Sequence, residues 1–140
     1  MGQAIYTAVA TARGDGRNGE VTSSDGVIDE SLAIPKEMGG PGGDKTNPEQ
    51  LFAAGYAACF HNGLRLIAAG QKTPVADSTV TAEVSVLKQE VGFGLGVALN
   101  VSLPGLEQAQ ADQLVEQAHQ VCPYSNATRG NIEVALSATV

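Results

Sequence analysis

The chain has few residues of the kinds that bind metals or anionic partners. Its two histidines, His61 and His119, and its two cysteines are too few ligands to predict a closed zinc site, and we expect both histidines to be solvated or capping residues. Lysine and arginine total 8 against 15 aspartates and glutamates, which gives a net charge of −7. This charge argues against nucleic acid or an anionic membrane as a partner. We therefore predict no metal site and no nucleic-acid or membrane partner.

The chain also has no long apolar run. The longest, Leu51 to Phe60, is too short to cross a bilayer, and the first residues lack the basic segment and apolar core of a signal peptide. We therefore expect a cytoplasmic protein. Persistent disulfides are rare in that reducing compartment, and a chain of 140 residues can bury enough surface to fold without one. A cysteine pair here favours transient chemistry over a structural crosslink.

The two cysteines occupy contrasting positions. Cys59 lies inside an almost wholly apolar segment, whereas Cys122 precedes a proline at which a helix is expected to stop. They are separated by 122 − 59 = 63 residues, far more than in a CxxC redox loop. They are either a reactive pair that the fold brings together or two inert core residues, since free cysteine is often buried.

The pattern of apolar residues, caps and turns predicts an α+β fold with the element order βββ-α-ββ-α-β. The predicted elements are β-like runs over 5–9, at 21 and over 27–34, a helix over 48–69, strands over 80–86 and 95–103, a helix over 106–121 and a strand over 132–138. Glycine turns between the first three runs predict an antiparallel meander, and the next two strands predict a hairpin. No linker separates domains, so residues 1–140 are expected to form a single domain.

Three segments of the sequence match a family pattern. Residues 39–60, GGPGGDKTNPEQLFAAGYAACF, together with Cys122-Pro123-Tyr124-Ser125 and Asp15-Gly16-Arg17, resemble the organic hydroperoxide resistance (Ohr) branch of the OsmC-like family. The resemblance spans essentially the whole chain and implies the OsmC-like fold in an intertwined homodimer. It also implies a thiol peroxidase that reduces organic hydroperoxides, binds no cofactor and takes electrons from dihydrolipoyl groups on a lipoylated protein.

The resemblance also assigns roles to four residues by position. Cys59 would be the peroxidatic cysteine, Cys122 the resolving cysteine, and Arg17 and Glu49 the polar partners of Cys59. The chemistry agrees, because a thiol attacks peroxide only as thiolate and apolar surroundings raise its pKa. Arginine suits as the nearby cation because it keeps its proton, and Glu49 could hold it by a bidentate contact. Cys122, at the negative end of a helix, is expected to stay a thiol and to act second.

The spacing of Glu49 and Cys59 bears on assembly. They are 59 − 49 = 10 residues apart, which is about 15 Å along the axis of one continuous helix, too far to frame one small site. Either the helix breaks, with Gly55 the expected place, or a second subunit delivers Glu49. The helix is apolar on nearly every face, as in a helix that is buried at the centre or shared across an interface. We therefore favour an obligate homodimer in which Arg17 and Glu49 come from the partner.

Three aromatic residues, Phe52, Tyr56 and Phe60, recur every four residues and share one side of this helix. Core packing is the usual reason for such a stripe. If part of it faces a cleft, it forms an apolar substrate pocket that favours alkyl or fatty-acid hydroperoxides over hydrogen peroxide. Two alternatives stay open: a non-enzymatic module that binds apolar ligands beside the helix, and an OsmC-type peroxidase of the neighbouring branch.

Overall fold

Three short antiparallel strands form the sheet of the N-terminal part of the chain. The computed structural model describes residues 2–140 as two compact units, the first ending at Leu51 and the second spanning Phe52–Val140. In the first unit, β1 (Ala10–Arg13) pairs with β2 (Glu20–Ser23), and β2 pairs with β3 (Asp29–Ser31). The predicted meander is confirmed. The first strand was predicted over 5–9, but it lies over Ala10–Arg13, where the residues pair with β2.

The second unit contains a three-stranded sheet. Two helices follow the first two strands of this sheet along the sequence. β4 (Thr79–Lys88) and β5 (Phe93–Ser102) form the predicted hairpin, and β6 (Val134–Thr139) lies parallel to β5. Between β5 and β6 the chain forms α2 (Gln108–Val121) and α3 (Pro123–Thr128). The sequence analysis missed α3, because six residues are too few to show a helical period. Pro123 was interpreted as a stop, although proline also suits the first position of a new helix.

The first helix, α1, runs from Pro48 to Gly70, as predicted from its start and stop signals. Asn47 caps it, since its side-chain oxygen accepts the backbone N–H of Gln50 at 2.8 Å. The helix is continuous, so the alternative of a break at Gly55 is wrong. None of the helices within residues 2–140 combines the length and apolar character that a membrane span requires.

Only one stripe of α1 is buried within the chain. Tyr56, Phe60, Leu64 and Ala68, spaced by four, are fully buried in the core of the second unit. That core also contains apolar residues of β5 and α2. Outside the stripe, Leu66 is 66% exposed, and Ala54, Ala58 and Ala69 are exposed too. The helix that is apolar on nearly every face therefore covers only part of its apolar surface inside one chain.

Candidate active site

The two cysteine sulfurs lie in contact. Cys122 Sγ donates a hydrogen bond to Cys59 Sγ at 3.7 Å, and both thiols are free. A disulfide bond is about 2.05 Å long, so the sulfurs must approach each other by about 1.6 Å to form one. Cys59 is partly exposed and Cys122 is fully buried. A molecule arriving from solvent therefore meets Cys59 first, which favours a reactive pair over two inert core residues.

Cys59 is not activated by its own surroundings in the second unit. Burial raises the pKa of Cys59, because apolar surroundings disfavour the thiolate. The backbone N–H of Tyr124 donates to the sulfur and acts in the opposite direction. Among residues 52–140, no cation is one of the groups that shift it. The cation expected beside Cys59 is therefore not among the groups of this unit that act on it.

Arg17 and Glu49 form a bidentate ion pair in the first unit. Arg17 Nη1 donates to Glu49 Oε1 at 2.6 Å, and Nη2 donates to Oε2 at 3.0 Å. Arg17 lies in a single 3-10 turn, Gly16–Asn18, and Glu49 in the first turn of α1. Hydrogen bonding to Glu49 and its negative charge raise the pKa of Arg17, which outweighs the effect of burial. The predicted bidentate contact is present, and the role of the pair beside Cys59 stays a prediction.

The aromatic stripe of α1 is mostly core. Tyr56 and Phe60 are fully buried, as core packing predicts, and only Phe52 keeps some exposed surface. A ring that the sequence analysis did not select, Tyr124, completes the cluster. Its centroid lies 6.3 Å from that of Phe52 and 5.6 Å from that of Tyr56. The substrate-pocket role stays a prediction, to which the position of Tyr124 adds a second partly exposed ring.

Gly55 allows this ring to approach α1. A Cβ built on Gly55 would lie 2.8 Å from the hydroxyl oxygen of Tyr124 and 3.2 Å from a ring carbon. Tyr124 therefore packs over the one residue of this turn that has no side chain. The glycine at position 55 is visible in the sequence. The residue that packs on it, Tyr124, lies in α3, which the sequence did not predict.

Both histidines bond to serine side chains, so the expectation of solvated or capping residues is wrong for them. His61 Nε2 lies 2.9 Å from Ser78 Oγ. His119 Nδ1 lies 2.8 Å from Ser125 Oγ, three residues after Cys122. Burial lowers the pKa of His119, and the charge of Arg129 lowers it further, while Glu116 acts in the opposite direction.

Within residues 2–140, no group of three or more His, Cys, Asp or Glu side chains is placed to hold a metal ion. At the candidate site, the fold brings two free thiols into contact. Such a pair can pass between a dithiol and a disulfide state.

Comparisons with known proteins show the family of this chain. The family model described as OsmC-like protein matches residues 40–137. The chain is 51% identical over 134 residues to the organic hydroperoxide resistance protein of Xanthomonas axonopodis pv. citri, covering 95% of this chain and 94% of that protein. It is 49% identical over 137 residues to the organic hydroperoxide resistance protein OhrB of Bacillus subtilis, covering 95% and 97%. The crystal structure of an organic hydroperoxide resistance protein OsmC from Legionella pneumophila matches with a TM-score of 0.92 and 54% identity, covering 99% and 100%.

Proposed function

The chain belongs to the Ohr branch of the OsmC-like family, and we propose that it is a cysteine-based peroxidase that reduces organic hydroperoxides to alcohols. The observation that carries the proposal is the contact of a partly exposed Cys59 with a buried Cys122 at 3.7 Å between the sulfurs. An attacking thiol must meet its substrate, whereas a resolving thiol needs only to meet the first one. The names of the relatives support the choice of an organic hydroperoxide as substrate.

The reaction begins at Cys59. Its thiolate attacks the outer oxygen of the hydroperoxide, the O–O bond breaks, and the departing alkoxide takes a proton and leaves as alcohol. Cys59 keeps the transferred oxygen as a sulfenic acid. The sulfur of Cys122 then attacks the sulfur of Cys59, and the hydroxyl leaves with the thiol proton as water. The two thiols together have supplied two electrons to the peroxide.

The Arg17–Glu49 pair of a second subunit supplies the cation that Cys59 needs. α1 is continuous, and Glu49 lies ten residues before Cys59, about 15 Å along the helix axis. The ion pair therefore serves the Cys59 of another copy more easily than that of its own chain. The apolar faces of α1 left exposed by the chain support the same arrangement, an intertwined homodimer with two composite sites.

An external dihydrolipoyl dithiol, carried on a protein, returns the disulfide to the dithiol state. Phe52 and Tyr124 offer an apolar approach to Cys59, which suits an alkyl-chain dithiol better than the charged tripeptide glutathione. No bound cofactor takes part. The cycle belongs in a reducing compartment such as the cytoplasm, where dithiols are kept reduced.

Stopped-flow kinetics test this function. Reduced protein should consume cumene hydroperoxide at least about tenfold faster than hydrogen peroxide, because an apolar pocket distinguishes the two. Cys59→Ser should abolish the reaction, and Cys122→Ser should reduce one equivalent and then stop as a sulfenic acid open to overoxidation. A Cys122→Ser protein that cannot react even once would overturn the assigned roles.

The main alternative, a non-enzymatic module that binds apolar ligands, predicts a different result. Cys59 would then react slowly with alkylating reagents and would show no thiolate below the ordinary pKa of a free thiol. Saturable binding of an alkyl ligand without consumption of hydroperoxide would establish that alternative.

A further inference from the structure

Four polar side chains form a buried hydrogen-bonded chain beside the thiol pair. His119 Nδ1 lies 2.8 Å from Ser125 Oγ, and Ser125 Oγ lies 2.8 Å from Tyr56 Oη. Tyr56 Oη lies 3.2 Å from Thr128 Oγ1, which donates to the backbone carbonyl of Ser125 at 3.1 Å. Tyr56, Ser125 and Thr128 are buried. Buried hydroxyl groups require hydrogen-bond partners. These hydrogen bonds therefore hold the helices that they join in fixed positions.

The direction of each hydrogen bond follows from the one that Thr128 donates to the backbone carbonyl of Ser125. Thr128 donates its only hydroxyl proton to the carbonyl, so its oxygen accepts from Tyr56. Tyr56 has thereby used its proton, so it accepts from Ser125. Ser125 has then used its proton as well, and its oxygen accepts from His119 Nδ1. With every contact satisfied, the neutral His119 carries its proton on Nδ1.

The hydrogen-bonded chain of these four side chains joins the three helices that hold the thiols. Tyr56 lies in α1 three residues before Cys59, and His119 lies in α2 three residues before Cys122. Ser125 and Thr128 lie one turn apart on α3, which begins immediately after Cys122. Fixing α3 therefore fixes the resolving sulfur beside Cys59.

We propose that the hydrogen-bonded chain of His119, Ser125, Tyr56 and Thr128 positions α3 so that Cys122 closes the disulfide rapidly once Cys59 is oxidised. The inference rests on the proposed function, and the four residues are positioning residues that do not touch the peroxide. The sulfurs start 3.7 Å apart, so resolution requires only a small movement of a held thiol. Loosening α3 lowers the local concentration of Cys122 at Cys59.

Separate measurement of the two steps tests the proposal. Thr128→Val removes the last hydroxyl of the chain and keeps the side-chain volume, and Ser125→Ala interrupts the chain at its centre. Each variant should form the disulfide about tenfold more slowly than wild type, while the second-order rate of Cys59 oxidation changes less than about twofold. The slower resolution should also increase overoxidation of Cys59 at high peroxide.

Ser78→Ala is the matched control. It removes the 2.9 Å hydrogen bond between Ser78 and His61, a comparable serine–histidine bond in the same unit. The rates of Cys59 oxidation and of disulfide formation should both stay unchanged. His119 provides a second route if the buried variants fold poorly, because it is only half-buried. His119→Leu should slow resolution, and His119→Asn, which can place an amide N–H where Nδ1 stands, should recover most of it. Long-range proton–nitrogen NMR should find the wild-type proton on Nδ1.

The outcomes separate the two proposals. A wild-type protein that consumes hydroperoxide and forms the disulfide, with variants that resolve as fast as it does, would overturn the positioning role alone. Equal losses in both steps would also overturn it, since they indicate general damage to the fold. A wild-type protein that forms no disulfide at all would overturn the proposed function and this inference with it.

Discussion

The decisive residue is Cys59, at which burial and hydrogen bonding act against each other. Burial raises the pKa of its thiol, and the backbone N–H of Tyr124 lowers it without compensating. A thiol in this environment is a weak nucleophile at neutral pH, because only the thiolate attacks. The Arg17–Glu49 pair is built to keep a positive charge, since Glu49 raises the pKa of Arg17. The proposed reactivity of Cys59 therefore requires a charge that its surroundings in the second unit do not supply.

Replacing that charge should move the pH profile of Cys59. Arg17→Ala should shift the pH dependence of alkylation of Cys59 by iodoacetamide to higher pH, because the thiolate loses its stabilising cation. Each unit of upward shift in the pKa lowers the thiolate fraction about tenfold at pH values well below it. Arg13→Ala is the control, because Arg13 lies in the same unit and bonds Thr22 at 3.1 Å instead. Identical pH profiles for Arg17→Ala and wild type would show that Arg17 does not stabilise the thiolate of Cys59.

At the scale of elements, α3 meets α1 at a glycine. Tyr124 covers Gly55, where a Cβ would lie 2.8 Å from the phenol oxygen, and its ring packs near Phe52 and Tyr56. Two effects of opposite sign act on an alanine at position 55. Alanine stabilises a helix interior by roughly 1 kcal/mol relative to glycine, whereas the displaced Tyr124 loses its packing. Tyr124 is 39% exposed, so its ring has room to move away.

A double-mutant cycle should separate these effects. Gly55→Ala should raise the free energy of unfolding by about 1 kcal/mol in a Tyr124→Ala background, where nothing covers the new methyl group. In the wild-type background the gain should be lost or reversed, because Tyr124 must move. Urea unfolding of the four proteins measures the coupling. A Gly55→Ala substitution that stabilises both backgrounds equally would show that Tyr124 does not press on this turn.

At the scale of the whole molecule, α1 leaves apolar surface that one chain does not cover. Its buried stripe of Tyr56, Phe60, Leu64 and Ala68 accounts for one face, and Leu66 lies 66% exposed on another. Other large apolar side chains of the described residues are exposed too, including Ile5, Val27, Val91 and Phe93. Covering such surfaces with a second copy of the chain is the simplest way to remove them from water.

Complementation between inactive variants should reveal composite sites. Cys59→Ser and Arg17→Ala proteins, unfolded together and refolded in equal amounts, should recover about a quarter of wild-type activity, because half the dimers are mixed and each has one intact site. Cys59→Ser with Cys122→Ser is the control. These two cysteines contact each other within one chain, so their mixture should not restore turnover. Proven heterodimers without recovery in the first mixture would place Arg17 in the same chain as its Cys59.

Features that depend on neighbours along the chain could be predicted from the sequence. Asn47, Pro48 and Gly70 marked the bounds of α1, and alternating residues marked the hairpin of β4 and β5, because caps and periodicity are local properties. The cysteine pair and the bidentate contact of Arg17 with Glu49 were also predicted from the sequence. The roles predicted for these residues rest on the family resemblance.

The surroundings of those residues depend on how distant segments pack and could not be predicted from the sequence. Six residues of α3 have no period to detect, and the contacts of Tyr124 with Gly55 and of His119 with Ser125 join helices through packing. The 3.7 Å between sulfurs 63 residues apart has the same origin. Hydrogen bonds between distant hydroxyls leave no trace in composition or spacing, because the sequence does not show which hydroxyl groups the fold brings together. The sequence therefore determined which thiols could react, and packing decided what holds them together.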